Sequence, residues 1–291
     1  MFCFKYFYNL YLYLIAGLAS TALMTSCGKQ STSTAQVDDI TINAPIAYSN
    51  GWAGNTVTIQ ISSEVIAENQ EHPSYAAIVP QLQYAIDTWN TAIGKIVLVL
   101  NTNSYSYLSA TGNTLAGCNG ISNKLFYTLC DPLKGIFYDR VSSVDVGKDP
   151  SQWTSGWAYN TGKSSSILAI TVWNGNGGTL TEADIRFNRD SYIFGDATSD
   201  GNLYEDESEK TIVDMRSVLL HELGHVLGLG HTPEEEDSIM YPNMNIGPDS
   251  SNPSYQSGVT TIKRTLSTCD INRVQHVYSG VTLTTACNVP G

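Results

Sequence analysis

Apolar and polar residues alternate over residues 56–61, Thr-Val-Thr-Ile-Gln-Ile, with the period of a half-buried strand. The period then changes. Across residues 74–93, Ile78, Leu82, Ala85, Ile86 and Trp89 recur at the spacing of one helical face. Ser74 can cap this helix and Gly94 can close it, while Pro80 suits a start near Val79. Lys95-Ile-Val-Leu-Val-Leu100 is a short apolar strand, so strand, helix and strand in this order predict a right-handed βαβ unit.

Residues 101–165 follow neither period. Within them only Gly135-Ile-Phe-Tyr-Asp139 has a strand pattern, and Trp153 and Trp157 read as core or groove aromatics. Residues 166–173 are a strand, Gly175-Asn-Gly-Gly178 is a turn, and Glu182–Asn188 alternates again. Two strands joined in this way predict antiparallel neighbours at a sheet edge. The acidic, turn-rich stretch 195–209 offers Asp196, Asp200, Glu205 and Asp206 as oxygen ligands for Ca²⁺. It has no EF-hand spacing, and a solvated charge run is the plainer reading. From Asp214, an acidic residue suited to a helix N-terminus, nothing breaks a helix before Leu227. Leu219, Leu220, Leu223, Val226 and Leu227 give it a wide apolar face.

The N-terminus has a separate pattern. Lys5 is the only charge before a long apolar run, Leu10 to Met24, followed by small residues and Cys27. This is the layout of an export signal. Met24-Thr25-Ser26-Cys27 is similar to a bacterial lipobox, so residues 1–26 are expected to leave as a lipoprotein signal peptide. Cys27 would then carry a diacylglycerol anchor. Ordinary secretion or an uncleaved anchor helix are the alternatives, since the run is near the lower limit for spanning a bilayer. Gly28 after the cysteine, in place of Asp, allows an outer-membrane or cell-surface destination. Residues 27–50 lack periodicity and read as a tether or short prosegment.

With 291 residues, 42% of them hydrophobic, the chain can bury a sizeable core. There are 27 acidic against 15 basic residues, a net charge of -12, which argues against binding a nucleic-acid backbone. Besides Cys27, the processed chain keeps Cys118, Cys130, Cys269 and Cys287. An even set in an exported protein suggests two disulfides. Three pairings are open, with Cys118–Cys130 and Cys269–Cys287 the nearest-neighbour choice. No CxxC spacing favours a cysteine metal site.

The chemistry is concentrated in His221-Glu222-Leu-Gly-His225-Val-Leu-Gly228-Leu-Gly-His231. His221 and His225, four apart on a helix, project from one face about one turn apart, as two ligands of a tetrahedral metal require. Glu222 is one step round, where it reaches a water beside the metal without ligating the metal. Gly228 permits a left-handed residue that ends the helix and lets the chain turn back. His231 then completes the set; on a continued helix it would diverge. A lone HExxH has a real false-positive rate, but the eleven-residue form with the glycine and third histidine is far more restrictive. Three of the five histidines fall in it, and His72 and His276 read as ordinary residues.

This pattern, followed by Ser238-Ile-Met240-Tyr241-Pro242, resembles the metzincin metallopeptidases and, within them, the matrixin-like group of bacteria. Glu182–Asn188 is similar to a strand of bacterial matrixin-like domains, and Arg264–Tyr278 to their last helix. The resemblance implies an α+β fold over residues 51–291, with an upper part 51–228 and a lower part 229–291. It would hold a twisted mixed sheet with an antiparallel edge strand, an active-site helix and a C-terminal helix. His221, His225 and His231 would hold one catalytic Zn²⁺, with Met240 beneath it in a Met-turn and Glu222 as general base. Tyr241 would pack or position backbone rather than ligate. A second, structural zinc is not expected, because no histidine lies between His72 and His221.

The implied activity is endopeptidase cleavage of extended protein or peptide substrates, by a monomer held at a membrane through its lipid. Specificity would be set by residues 242–262. The alternative is a catalytically silent binding or adhesion protein on the same scaffold. The acidic run Glu234–Asp237 reads as solvated loop, or as a cleft rim attractive to basic peptides. Relatives are often kept latent by a prosegment Cys or Asp on the zinc. The matrixin cysteine motif is absent, and Asp38-Asp39 is the candidate switch beside the plainer reading of a solvated pair.

Overall fold

The computed structural model describes residues 33–36, 44–54, 56–62, 65–66, 77–105, 134–139, 145–152, 156–195, 211–246 and 262–288. Cys27, Asp38, Asp39, His72, Cys118, Cys130 and the candidate calcium ligands Asp196, Asp200, Glu205 and Asp206 lie outside the described residues. In chain order the strands are β1 (Ser33–Gln36), β2 (Gly51–Trp52), β3 (Val57–Ser62), β4 (Leu98–Tyr105), β5 (Lys134–Asp139), β6 (Ala169–Asn176), β7 (Thr179–Asn188), β8 (Tyr192–Gly195), β9 (Thr211–Asp214) and β10 (Asn243–Ile246). The helices are α1 (Ile78–Ile93), α2 (Trp157–Thr161), α3 (Met215–Val226) and α4 (Thr268–Ser279).

Val57, Ile59 and Ile61 of β3 are buried while Thr58 is exposed, so the alternation read from the sequence is the two-sidedness of a strand. Helix α1 buries Ile78, Leu82, Ala85, Ile86, Trp89 and Ile93. It starts four residues later than Ser74, and Pro80 sits in its first turn, where a missing N–H breaks no bond. Gly94 closes it by donating to the Asn90 and Thr91 carbonyls. The apolar run 95–100 starts its strand only at Leu98. Ile96 is 66% exposed, and Asn90 Oδ1 accepts from both Val97 N and Leu98 N (2.9 Å each), fixing where the chain enters the sheet. β3 and β4 are parallel, as the βαβ reading requires.

The main sheet runs β4-β3-β5-β7, with β2 beside the start of β7 and β6 along the whole of its length. All pairings are parallel except β6 with β7. Among the described strands β6 pairs only with β7, which makes it the antiparallel edge. The hairpin turn is confined to Gly177-Gly178, because β6 continues through Asn176. β7 is buried on both faces from Ala183 to Asn188, so the alternation seen there in the sequence does not mark a solvent face. Its polar members are satisfied in place. Arg186 forms a buried pair with Asp139 of β5, and Asp184 accepts from Gly135 N at 2.8 Å.

Helix α3 packs against α1, where Trp89 Nε1 donates to the Leu220 carbonyl (2.9 Å). Helix α4 reaches α1 through Gln275, which donates to Ala92 O, and Ser279, which donates to Ile93 O. One hydrophobic core joins these parts, from Val57 to Val274. The segment from Ala44 on, read as tether, is packed: Ile46 bridges Leu229, and Ala47 N and Tyr48 N both donate to Gly228 O. Cys269 and Cys287 are disulfide-bonded (S–S 2.01 Å), joining the first turn of α4 to the C-terminal 3₁₀ turn Thr285–Cys287.

Candidate metal centre and active site

Helix α3 is held at both ends. At its start, Asp214 caps the helix by accepting from Ser217 N (3.0 Å) and is clasped by Arg264. At its end, Gly228 at φ +90° makes the left-handed turn: its N–H donates to His225 O, and Leu229 N donates to Gly224 O. These two bonds form a Schellman stop. Carbonyls that a helix terminus leaves bare are met from outside. Val226 O accepts from Trp52 Nε1 (2.7 Å), Leu227 O from the Tyr278 hydroxyl (3.0 Å), and Gly228 O from the Ala47 and Tyr48 amides. Burial pushes the Tyr278 phenol well above its ordinary range, which keeps it a donor.

The stop turns the chain so that His231 joins His221 and His225. Nε2 of His221 lies 3.1 Å from Nε2 of His225 and 3.3 Å from Nε2 of His231. Nitrogens about 2.0–2.1 Å from a tetrahedral zinc stand about 3.3 Å apart, so the spacing fits that ion. The tautomers fit as well. His221 Nδ1 is 2.7 Å from Ile239 O and His225 Nδ1 is 2.7 Å from Leu229 O. A carbonyl accepts only, so each Nδ1 carries the proton and each Nε2 offers its lone pair. All three histidines are buried, and among the described residues they form the one cluster suited to a metal ion.

Glu222 is fully buried beside them. Its Oε2 accepts from the Thr171 hydroxyl of β6 at 2.6 Å. Two residues along the same strand, the Trp173 ring meets the His225 ring edge-on at 5.3 Å, and Tyr48 in turn packs against Trp173. β6 thus touches both the candidate base and a candidate ligand.

Below the histidines, Met240 Sδ occupies the space a side chain at Gly224 would need. The Met-turn is tied down from α4. Asp270 accepts from Ser238 Oγ (2.6 Å), Ile239 N (2.9 Å) and Ser267 N (2.8 Å). Thr232 Oγ1 donates to Ser238 Oγ, and Thr232 N to Met240 O, so the residue after the third histidine is in the same network. Burial raises the Asp270 carboxyl, against the lowering effect of these hydrogen bonds. Lys263 Nζ donates to Glu236 O (2.6 Å) and Ser238 O (3.2 Å) and lies over the Tyr241 ring. Glu235 of the acidic run pairs with the buried Arg273 of α4.

Of the residues singled out in the sequence, His221, His225, His231, Glu222, Gly228 and Met240 come together here. Thr171, Trp173, Asp270 and Gly224 were not anticipated. Ser267-Thr-Cys-Asp270 carries a capping-box signature, which makes the cap legible but not the second use of the Asp270 carboxylate. Thr171 is the one polar side chain in the run Ile167–Trp173, and that lone hydroxyl in an apolar strand is its signal in the sequence.

Comparison with known proteins agrees with this geometry. Residues 158–279 match the matrixin family, a stretch that takes in β6, β7, α3, the Met-turn and the whole of α4. The chain is 40% identical over 70 residues to Metalloendoproteinase 5-MMP of Arabidopsis thaliana, covering 24% of this chain and 16% of that protein. It is 51% identical over 47 residues to Metalloendoproteinase 2-MMP of the same plant, covering 16% and 12%. The matched stretches thus span less than a fifth of these curated relatives. The match supports a matrixin-like metzincin, and the mixed sheet with its antiparallel edge and flanking helices is an α+β, metzincin-like fold.

Proposed function

We propose that the protein is a zinc-dependent endopeptidase acting on extended peptide chains. The observation that carries this reading is three Nε2 atoms meeting beside a buried carboxylate. Zinc, when bound, supplies Lewis acidity: it polarises the scissile carbonyl and lowers the pKa of a water. Glu222 accepts the proton of the attacking water and returns it to the leaving amine. The outer edge of β6 offers backbone groups to a substrate laid antiparallel along it, which holds the chain without regard to its side chains. Side-chain preference is assigned to residues 242–262, beyond the Met-turn.

Casein or a peptide library tests this. The purified protein should bind one zinc and cut, chelator should abolish cutting, and Glu222→Ala should lower kcat by at least about 10²-fold. A protein that binds zinc and cuts nothing would instead be the silent binding scaffold.

The same reading extends to the N-terminus. Export with lipidation at Cys27 is supported by the apolar run Leu10–Met24 and the lipobox-like Met24–Cys27. Among the described residues no helix is long and apolar enough to cross a membrane. Cys27→Ser should move the protein from the membrane fraction to the soluble one. Residues 27–50 are proposed to act as a tether or short prosegment.

A further inference from the structure

We infer that Thr171 is a positioning residue that sets the orientation of the Glu222 carboxylate; the inference rests on the endopeptidase reading above. Thr171 is 3% exposed and stands alone as a polar side chain among Ile167, Leu168, Ala169, Ile170, Val172 and Trp173. A buried hydroxyl is costly unless it is hydrogen-bonded, and a valine would suit this strand position without that cost. The hydroxyl is aimed at Glu222: it lies 2.6 Å from Glu222 Oε2 and 3.1 Å from Glu222 O. A hydroxyl has a single proton, and the shorter contact to a carboxylate is where it is held.

The terminal torsion of a glutamate is broad and nearly two-fold, so a buried carboxylate needs an outside contact to fix its plane. Asp214 caps the helix that carries Glu222, and Thr171 reaches the carboxylate from the strand facing that helix. That strand is the sheet edge. Thr171 and Trp173 share its inner face, one on the base and one on His225, while its open edge is the surface assigned to the substrate. Seating a peptide on β6 therefore orders the same backbone that holds the hydroxyl against the base.

The test uses Thr171→Val, which keeps the shape and removes the donor, and Thr171→Ser, which keeps the donor. On a peptide cut by the wild type, Thr171→Val should lower kcat by about tenfold or more, with KM and zinc content within twofold of wild type. Thr171→Ser should recover most of the loss. A structural role alone would spare kcat selectively in neither variant and would not be rescued by serine. A second measurement does not depend on activity. In a double-mutant cycle with Glu222→Ala, the effects of Thr171→Val on the unfolding constant should be non-additive by several-fold. Full kcat in Thr171→Val, failure of rescue by serine, or an additive cycle would each overturn the inference. A wild type that cuts nothing while the cycle remains coupled would instead remove the endopeptidase reading and leave the Thr171–Glu222 contact standing.

Discussion

Met240 Sδ lies 2.3 Å from the point where a Cβ on Gly224 would stand, so the glycine in the zinc-helix motif is there for the methionine beneath it. On helix propensity alone, Gly224→Ala should stabilise the protein by up to about 1 kcal/mol. The added carbon would also stand 3.1 Å from the Trp89 ring, and Met240 and Trp89 are both fully buried, so neither can yield into solvent. Overpacking costs about 1–3 kcal/mol and wins. Gly224→Ala is expected to lower the denaturant midpoint. It should also weaken zinc retention, because displacing Met240 disturbs Ile239, whose carbonyl orients His221.

Asp270 acts on the same candidate ligand through one residue, Ile239. Its carboxylate accepts from Ile239 N, and Ile239 O faces His221 Nδ1. Asp270→Ala would leave Ser238 Oγ, Ile239 N and Ser267 N without this acceptor. Each buried donor so stranded costs about 1–3 kcal/mol, and outer-shell partners of a metal histidine are worth about 10–100-fold in affinity. The expected outcome is a large fall in thermal midpoint together with zinc loss to a weak competing chelator. Asp270→Asn keeps one acceptor oxygen and should fall between.

How much of this was legible in the chain differs by the range of the interaction. The three histidines, Glu222 and Gly228 lie within eleven residues, and helical spacing alone brings the first two ligands together. β3, α1 and β6 were legible because their periods are undisturbed by tertiary context. β7 was legible as a strand, though the alternation in its sequence marks no solvent face, since a central strand can be buried on both faces. Thr171, Trp173 and Asp270 reach the site from 51, 52 and 31 residues away from Glu222, His225 and Ile239. Nothing in local pattern specifies such pairings; they follow from β6 lying over α3 and α4 lying under the Met-turn.

Lys263 gives a dependence on pH. Burial lowers its pKa from 10.5 to about 8, against the raising effects of Asp270, Asp237 and Glu236. Between these values the unfolded chain holds the proton more firmly than the folded one, so this group makes stability rise with pH from about 8 to 10.5. Tyr192, pushed up to about 12 by burial, acts in the opposite sense above its unfolded value of 10.0. The Lys263 contribution is therefore isolated by difference. Urea midpoints at pH 7.5, 9 and 10 should converge between wild type and Lys263→Met if the variant lacks the penalty of the buried cation. A constant offset across the series would show that Lys263 stays charged throughout.

Latency is open to a direct measurement at β10. Ser33–Gln36 pairs antiparallel with Asn243–Ile246, and Gln36 stands opposite Asn243, so the chain along β1 runs towards Pro242 and the Met-turn. Further on, Pro45 O accepts from Gly230 N, next to His231. Asp38 and Asp39 fall in sequence between these two anchors. A peptide bound beyond the Met-turn would compete with β1 for the backbone groups of β10. Removing residues 28–43 is therefore expected to raise kcat/KM on a peptide substrate by tenfold or more, and added peptide Ser33–Asn43 should inhibit the shortened enzyme. If an aspartate also occupies the metal, Asp38→Ala with Asp39→Ala in the full chain should reproduce much of the gain. Equal activity of the full and shortened proteins would show that the strand leaves the cleft open.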